Sequence, residues 1–582
     1  LKSAYSYLIN GETNLSAEEK KTLAKDTFEF MRKGTKDNYT RMFDIDDSYS
    51  VTDCLKIMSI RYTLFINYPK YKQITIASNV SEKTVAAVEE NRADLPGVEV
   101  KQESKRIYHD ALYMAHIIGY TGLINSDELE EAEAEGLAYN STDYIGKSGV
   151  EKEFERELAG TKGSETVVVN NVGKVVTVTE RKEPVAGNDI YLTIDSDLQR
   201  NAYIMLERKI AEILLQNIVP TMSYGSKGES AADIKIPIYE VYYALINNNI
   251  IDINSFDEPD ATELEQKVYE KYLSEQDKVF DNYRQLLSNN SNITNSKAGD
   301  MEEFLDYFYT TLVKQQILLT KNIPSDDSVY KSYTNDNISL SQFLQHAINN
   351  NWIDLSKLGI GSDYYIAEEI YQKLLDYVEN LLKKDSEFKK KIYRQLIFSY
   401  KLTGTEICLL LFDQGVLEYN SNEINSLKNG RSAYAFITDK IKSLAITPAM
   451  LALEPCSGSV VITDVNSGEV LALVTYPSYD NNMFANKIDY HYYTKLNNDK
   501  SLPLRNRPIM QRTAPGSTFK MVTSFAALEE GVVTPNEKIY DHGEFDKLTL
   551  APKCHIYPRT HGAVDISGAI KVSCNYFFYV TG

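Results

Sequence analysis

The sequence predicts an α+β protein of several domains, interrupted by a large helical insertion. Three observations carry that expectation. The chain has 582 residues, more than one hydrophobic core ordinarily serves. Short β-branched runs bounded by turn residues recur before residue 200 and again after residue 455. Between residues 207 and 454, apolar side chains return at i, i+3 and i+4, while proline and glycine are sparse.

Taken in order, Ser16 followed by Glu19 has the form of a capped helix start. Residues 62–67, 72–78 and 97–100 read as short strands, and Val80-Ser81-Glu82 opens a helix reaching Glu90. In residues 144–160, Gly146 and Gly149 supply a turn, and Val150, Phe154 and Leu158 form the buried stripe of the helix behind it. Residues 165–170, 174–179 and 189–195 read as strands. Helical periodicity is strongest over residues 302–320, 364–382 and 390–402. Asn466-Ser467-Gly468, between two apolar runs, marks a hairpin within residues 458–473.

Ala514-Pro515-Gly516 is then a turn signal, and a helical apolar pattern follows through Phe519, Met521, Val522, Phe525, Ala526 and Leu528. Ser517 and Lys520 share one face of its first turn. A serine hydroxyl is a poor nucleophile until its proton is taken, and a desolvated lysine three residues on can take it. The positive end of the helix favours the negative charge that develops.

Composition narrows the classes. Charged residues at 25 % and hydrophobic ones at 43 % are ordinary for globular chains. A net charge of −20 argues against a nucleic-acid partner. No stretch approaches eighteen uninterrupted apolar residues, so these residues contain no membrane span or signal peptide. The five cysteines form no dense disulfide pattern.

The stretch from Asn506 to Ser524 resembles the active-site segment of the penicillin-binding proteins, and its surroundings resemble the class B, monofunctional members, with a tilt toward the elongation type. Ser573-Cys574-Asn575 matches that family's Ser-x-Asn motif. Residues 106–120 resemble its "R-x-Y-P … A-H-x-x-G-Y" segment, with His109 where proline is usual. Residues 144–160, 189–199, 458–473 and Pro477 to Asp480 match further elements. The resemblance covers roughly residues 60–205 and 455–582, and it implies three regions. Residues 1–188 would be an N-terminal pedestal. Residues 189–206 with 455–582 would be a serine penicillin-recognising transpeptidase domain, an antiparallel sheet flanked by helices. Residues 207–454 would be a helical insertion serving as a partner-binding module or a spacer. The third motif, Lys-Thr-Gly, is not found before Gly582, so the C-terminal part of the catalytic domain is expected to be absent from this sequence. An N-terminal membrane helix is likewise expected to precede Leu1, anchoring the protein on the extracytoplasmic face of a bacterial cell membrane.

The resemblance implies a peptidoglycan D,D-transpeptidase acting on D-Ala-D-Ala stem peptides and trapped by β-lactams. Ser517 is the nucleophile, Lys520 the base, Ser573 the proton relay to the leaving amine, and Asn575 a hydrogen-bond partner of substrate and Lys520. The oxyanion hole would take the Ser517 N–H and one N–H from the third-motif strand. A membrane glycosyltransferase of the cell-wall complex is the expected partner, and no organic cofactor is implied. A β-lactam sensor or hydrolase and a non-catalytic scaffold are the alternatives; the pedestal-like residues 106–160 argue against the former.

Two of the five cysteines and three of the seven histidines fall between residues 541 and 574. Thiolate and imidazole at that density suit tetrahedral zinc. The order Asp541, Cys554, His561, Cys574 resembles a structural zinc site of some elongation-type enzymes, with His542 or His555 as substitutes for Asp541 or His561. A metal on Cys574 would fix the loop carrying Ser573 and Asn575. A Cys554–Cys574 disulfide, and Cys574 as a small buried core residue with Cys554 a free thiol, remain alternatives.

Overall fold

The computed structural model describes residues 28–29, 31–32, 43–66, 74–102, 105–169, 175–222, 235–288, 291–359, 365–486 and 488–582. The expected helix start at Ser16 lies outside them, as do residues 72 and 73. The chain divides into two compact units. One comprises Leu1–His109, Ile118–Leu192 and Asn482–Ile488; the other comprises Asp110–Ile117, Thr193–Asn481 and Asp489–Gly582.

In the first unit, helix α1 (Val51–Ile66) replaces the strand expected at residues 62–67. The Ser50 hydroxyl accepts the Asp53 N–H at 3.2 Å and starts a helix. Cys54 and Met58, one turn apart, then enter a small core with Met31, Phe43 and Ile45. Once that helix is nucleated and packed, the β-forming residues at its end extend it. Residues 74–78 and 97–100 are not strands either. Helix α2 (Glu82–Glu90) forms as expected, its Thr84 N–H capped by Ser81.

Strands β1 (Ser164–Val169) and β2 (Val175–Lys182) pair antiparallel. Between residues 144 and 160 the buried stripe is not as expected. Phe154 breaks the helix into two short pieces and is itself 37 % exposed. The buried side chain is Glu151, whose Oε1 lies 2.6 Å from Arg106 Nε. A buried carboxylate needs such a partner, and the pair holds the Arg106 guanidinium above its ordinary pKa. Gly146 is required here because a Cβ would fall 1.9 Å from the Glu151 carbonyl oxygen.

In the second unit, residues 193–195 run beside the 458–476 hairpin without forming the expected strand. One backbone bond, Asp195 N to Leu471 O at 2.9 Å, and the Thr193 hydroxyl on Val470 O are too few for a ladder. Asp195 instead caps α3 (Ser196–Asn217). Buried Gln199 on α3 donates to Tyr113 O and Leu473 O and accepts the Leu473 N–H at 2.8 Å.

The helical insertion then packs around one continuous core running from Ala211 to Leu451. Three of its helices matter below: α4 (Ile238–Asn247), α5 (Glu302–Lys314) and α6 (Ser386–Phe398). Helix α5 stops at Lys314, short of the expected 320, because Gln316 turns left-handed at φ 54°. Helix α6 starts before the expected 390, because Asp385 caps Phe388 N–H at 2.7 Å, and it ends where Tyr400 takes φ 60°. The helix expected over residues 364–382 is found as Ala367–Leu382.

Strands β3 (Gly458–Thr463) and β4 (Val470–Tyr476) form the expected antiparallel hairpin. A 3₁₀ turn (Gly516–Thr518) leads into α7 (Phe519–Glu529). β5 (Ile539–Asp541) pairs antiparallel with β6 (Gly562–Val564), and α8 (Asn575–Thr581) closes the described chain. The expected helix is thus present, and the apolar residues of its pattern are exposed, Phe525 by 69 %. The buried side of α7 is Ser524 and Ala527.

Candidate active site

Gly516, at φ 57°, turns the chain so that Ser517 precedes α7 and Lys520 lies in its first turn. The facing wall is the Ser573-Cys574-Asn575 loop at the start of α8. Lys520 Nζ donates to three acceptors there: Asn575 Oδ1 at 2.6 Å, the Ser573 carbonyl at 2.8 Å and Ser573 Oγ at 3.0 Å. Ser573 Oγ in turn donates to Ser517 Oγ at 3.1 Å. The four residues singled out in the sequence are therefore brought together as a chain of bonds. Its order differs from the simplest expectation, since the link from lysine to nucleophile passes through the Ser573 hydroxyl.

Partial burial pushes the Lys520 pKa below that of an ordinary lysine, against the raising effect of the two nearby cysteines. Its ammonium also sits 5.6 Å from the centre of the Phe578 ring, a contact no motif announces. Ser573 holds φ 51°, a left-handed conformation rare for serine. That turn presents both its carbonyl and its hydroxyl to Lys520.

Behind this wall, one donor atom each from Asp541, Cys554, His561 and Cys574 lies within 4.8 Å of the others. Asp541 is fully buried at the end of β5. Burial works to raise its pKa, but N–H donation from His561 and Gly543 prevails and holds it low. His561 Nδ1 is 2.8 Å from Asp541 Oδ2 and 3.5 Å from Cys554 Sγ. The sulfurs of Cys554 and Cys574 stand 4.0 Å apart, well beyond the roughly 2.05 Å of a disulfide, so both are free thiols. Burial lifts Cys574 to about 12, and its sulfur also accepts the Phe577 N–H at the start of α8. Of the two substitutes, the His542 ring packs on Tyr540 and Tyr576, while His555 borders the group of four with its Nδ1 4.0 Å from Cys554 Sγ. Two sulfurs, one imidazole and one carboxylate are a donor set that fits tetrahedral zinc.

With this geometry in view, the comparisons are specific. Residues 2–192 match the penicillin-binding protein dimerisation domain and residues 458–582 the penicillin-binding protein transpeptidase domain, together more than half of the chain. The chain belongs to the penicillin-binding proteins. Within them it is similar to the sequences named MrdA.

Over 148 residues it is 37 % identical to peptidoglycan D,D-transpeptidase MrdA of Escherichia coli K12, covering 25 % of this chain and 23 % of that protein. The chain thus spans about a quarter of the length of such relatives. Among solved structures, PBP2 of Pseudomonas aeruginosa in complex with WCK 5153 is 31 % identical, with a TM-score of 0.21 and coverage of 24 % of this chain and 32 % of that one. A complex of PBP2 with MreC from Helicobacter pylori covers 92 % of this chain and 55 % of that one, at 15 % identity and a TM-score of 0.40.

Proposed function

We propose that this protein is a serine-type peptidoglycan D,D-transpeptidase, acylated at Ser517 by D-Ala-D-Ala stem peptides and by β-lactams. The observation that carries the reading is the hydrogen-bond chain from Ser517 through Ser573 to Lys520 and Asn575. In the resting arrangement Lys520 spends its three ammonium protons on three acceptors. Once neutral, its lone pair can accept the Ser573 proton while Ser573 accepts that of Ser517. The Ser517 oxygen then attacks the penultimate D-Ala carbonyl, and the same relay runs backward to protonate the departing amine. An amine of a neighbouring stem peptide takes the acyl group from Ser517 in the second half-reaction. The Ser517 N–H is one oxyanion donor.

Asp541, Cys554, His561 and Cys574 would hold a structural zinc, a closed shell that activates no water. Cys574 lies between two site residues, so its fixation restrains Ser573 and Asn575 together.

We read residues 1–188 as the pedestal, residues 189–206 with 455–582 as the catalytic domain, and residues 207–454 as an insertion into it. The setting we propose is the extracytoplasmic face of a bacterial membrane, beside a membrane glycosyltransferase. Among the described residues no helix is long and apolar enough to cross a membrane.

The test is labelling of the full-length protein by a fluorescent penicillin. Ser517→Ala should abolish the label while the protein stays folded, and the wild-type adduct should decay slowly. Equal labelling of both proteins sinks the assignment. Rapid loss of the adduct would make the protein a β-lactam hydrolase, and no label at all on the wild type would make it a scaffold.

A further inference from the structure

The helical insertion holds a cavity of about 330 Å³ between α4, α5 and α6, at the lower end of the roughly 300–1,000 Å³ typical of small-ligand sites. Its wall combines two tyrosine rings, Tyr243 and Tyr307, with charges of both signs, Lys314 and Lys391 against Asp385 and Glu387.

The unused valences in that wall are particular. Lys391 already pairs with Glu303, and Glu387 is shared between Lys390 at 2.9 Å and Lys500 at 3.5 Å. Lys314 has no ion pair or hydrogen bond to its ammonium among the described residues. Asp385 accepts the Phe388 N–H and the Tyr307 hydroxyl, each at 2.7 Å, on the same oxygen, Oδ1. The cavity therefore offers one uncommitted cation, one uncommitted carboxylate oxygen and aromatic faces between.

We propose that this cavity is a binding site for a small zwitterion with a short apolar body, of the size of a dipeptide. The carboxylate of the ligand pairs with Lys314, its ammonium with Asp385, and its aliphatic part lies against Tyr243 and Tyr307. The site stands independently of the chemistry at Ser517. It also has a route to the catalytic segment. Glu387, in its wall, pairs with Lys500, and Tyr243 bonds at 3.4 Å to Asn247, which accepts from the same lysine. Lys500 lies in the segment that runs on to Ser517.

Calorimetric titration of the full-length protein with alanyl-alanine, in L,L and D,D forms, tests this. Saturable binding is expected in the wild type and equally in Ser517→Ala, and its weakening by changes at Lys314 and Asp385 separates this site from the catalytic one. Lys314→Ala and Asp385→Asn should each weaken binding about tenfold, the worth of one charge-assisted bond. The asparagine keeps the oxygen that caps α6, and Lys314 is exposed, so both variants should melt with the wild type. No saturable binding in the wild type, binding unchanged in both variants, or binding lost in Ser517→Ala would each overturn the proposal.

Discussion

Ser573 is the residue on which the site's connectivity turns, since its hydroxyl bonds to both Ser517 and Lys520. Ser573→Ala should lower the acylation rate constant for a fluorescent penicillin by about 10²–10⁴-fold, the usual worth of a positioned proton carrier. A rate within twofold of wild type would remove the relay. Lys520 supplies a pH signature. Burial disfavours its charged form, so the folded pKa lies below the unfolded one, near 10.4. The ammonium therefore costs stability below the folded pKa, and that cost fades as pH rises through it. The same titration releases the lone pair, so acylation should climb with pH along a limb inflecting below about 10.4. Lys520→Arg should flatten that limb, and an unshifted inflection would count against the lysine as base. The four residues were legible because their chemistry is written in spacing, Ser-x-x-Lys and Ser-x-Asn. The left-handed backbone at Ser573 and the Phe578 ring under Lys520 were not, because nothing in the local sequence demands either.

At the scale of elements, caps and left-handed residues decided what hydrophobic pattern could not. Residues 62–67 carry the composition of a strand, yet Ser50 had already begun a helix, and Cys54 and Met58 had given it a core to face. Asp385 moved the start of α6 and Gln316 the end of α5 in the same way. The β3–β4 hairpin was readable because its turn chemistry and its two apolar runs agree. The face of α7 shows where pattern reading stops, since periodicity names an apolar stripe without saying what covers it. An element-scale test concerns the donors behind the site. Cys554→Ser, or treatment with a strong chelator, should lower the melting temperature by several degrees and slow acylation about tenfold or more. Ser517→Ala should leave melting unchanged. An acylation rate indifferent to chelator and to Cys554→Ser would leave the four donors without a metal.

Across the second unit as a whole, a buried amide of the insertion helps tie it to the segment leading to Ser517, beside the Lys500 contacts with Asn247 and Glu387. Asn248 Nδ2 reaches Ala449 O, Met450 O and Asp499 Oδ1 at 3.1–3.2 Å, and Asn248 Oδ1 accepts the Lys500 N–H at 2.8 Å. These contacts join positions some 200 to 250 apart in sequence. No short-range signal could have announced them. Asn248→Ala should cost about 1–3 kcal/mol of unfolding free energy, the penalty for stranding buried polar groups. Calorimetry should then show the insertion melting apart from the catalytic residues, whereas a single unchanged transition would mean that the joint is elsewhere. The insertion's interior was legible as helical from periodicity alone, but its attachment was legible only in three dimensions. The Ser573-Cys574-Asn575 tripeptide has a last consequence. Its outer members look one way, toward the lysine, and its middle member the other, toward the sulfur and imidazole cluster. Adding or deleting one residue there would exchange the two audiences, so this stretch should tolerate substitution in places but no change of length.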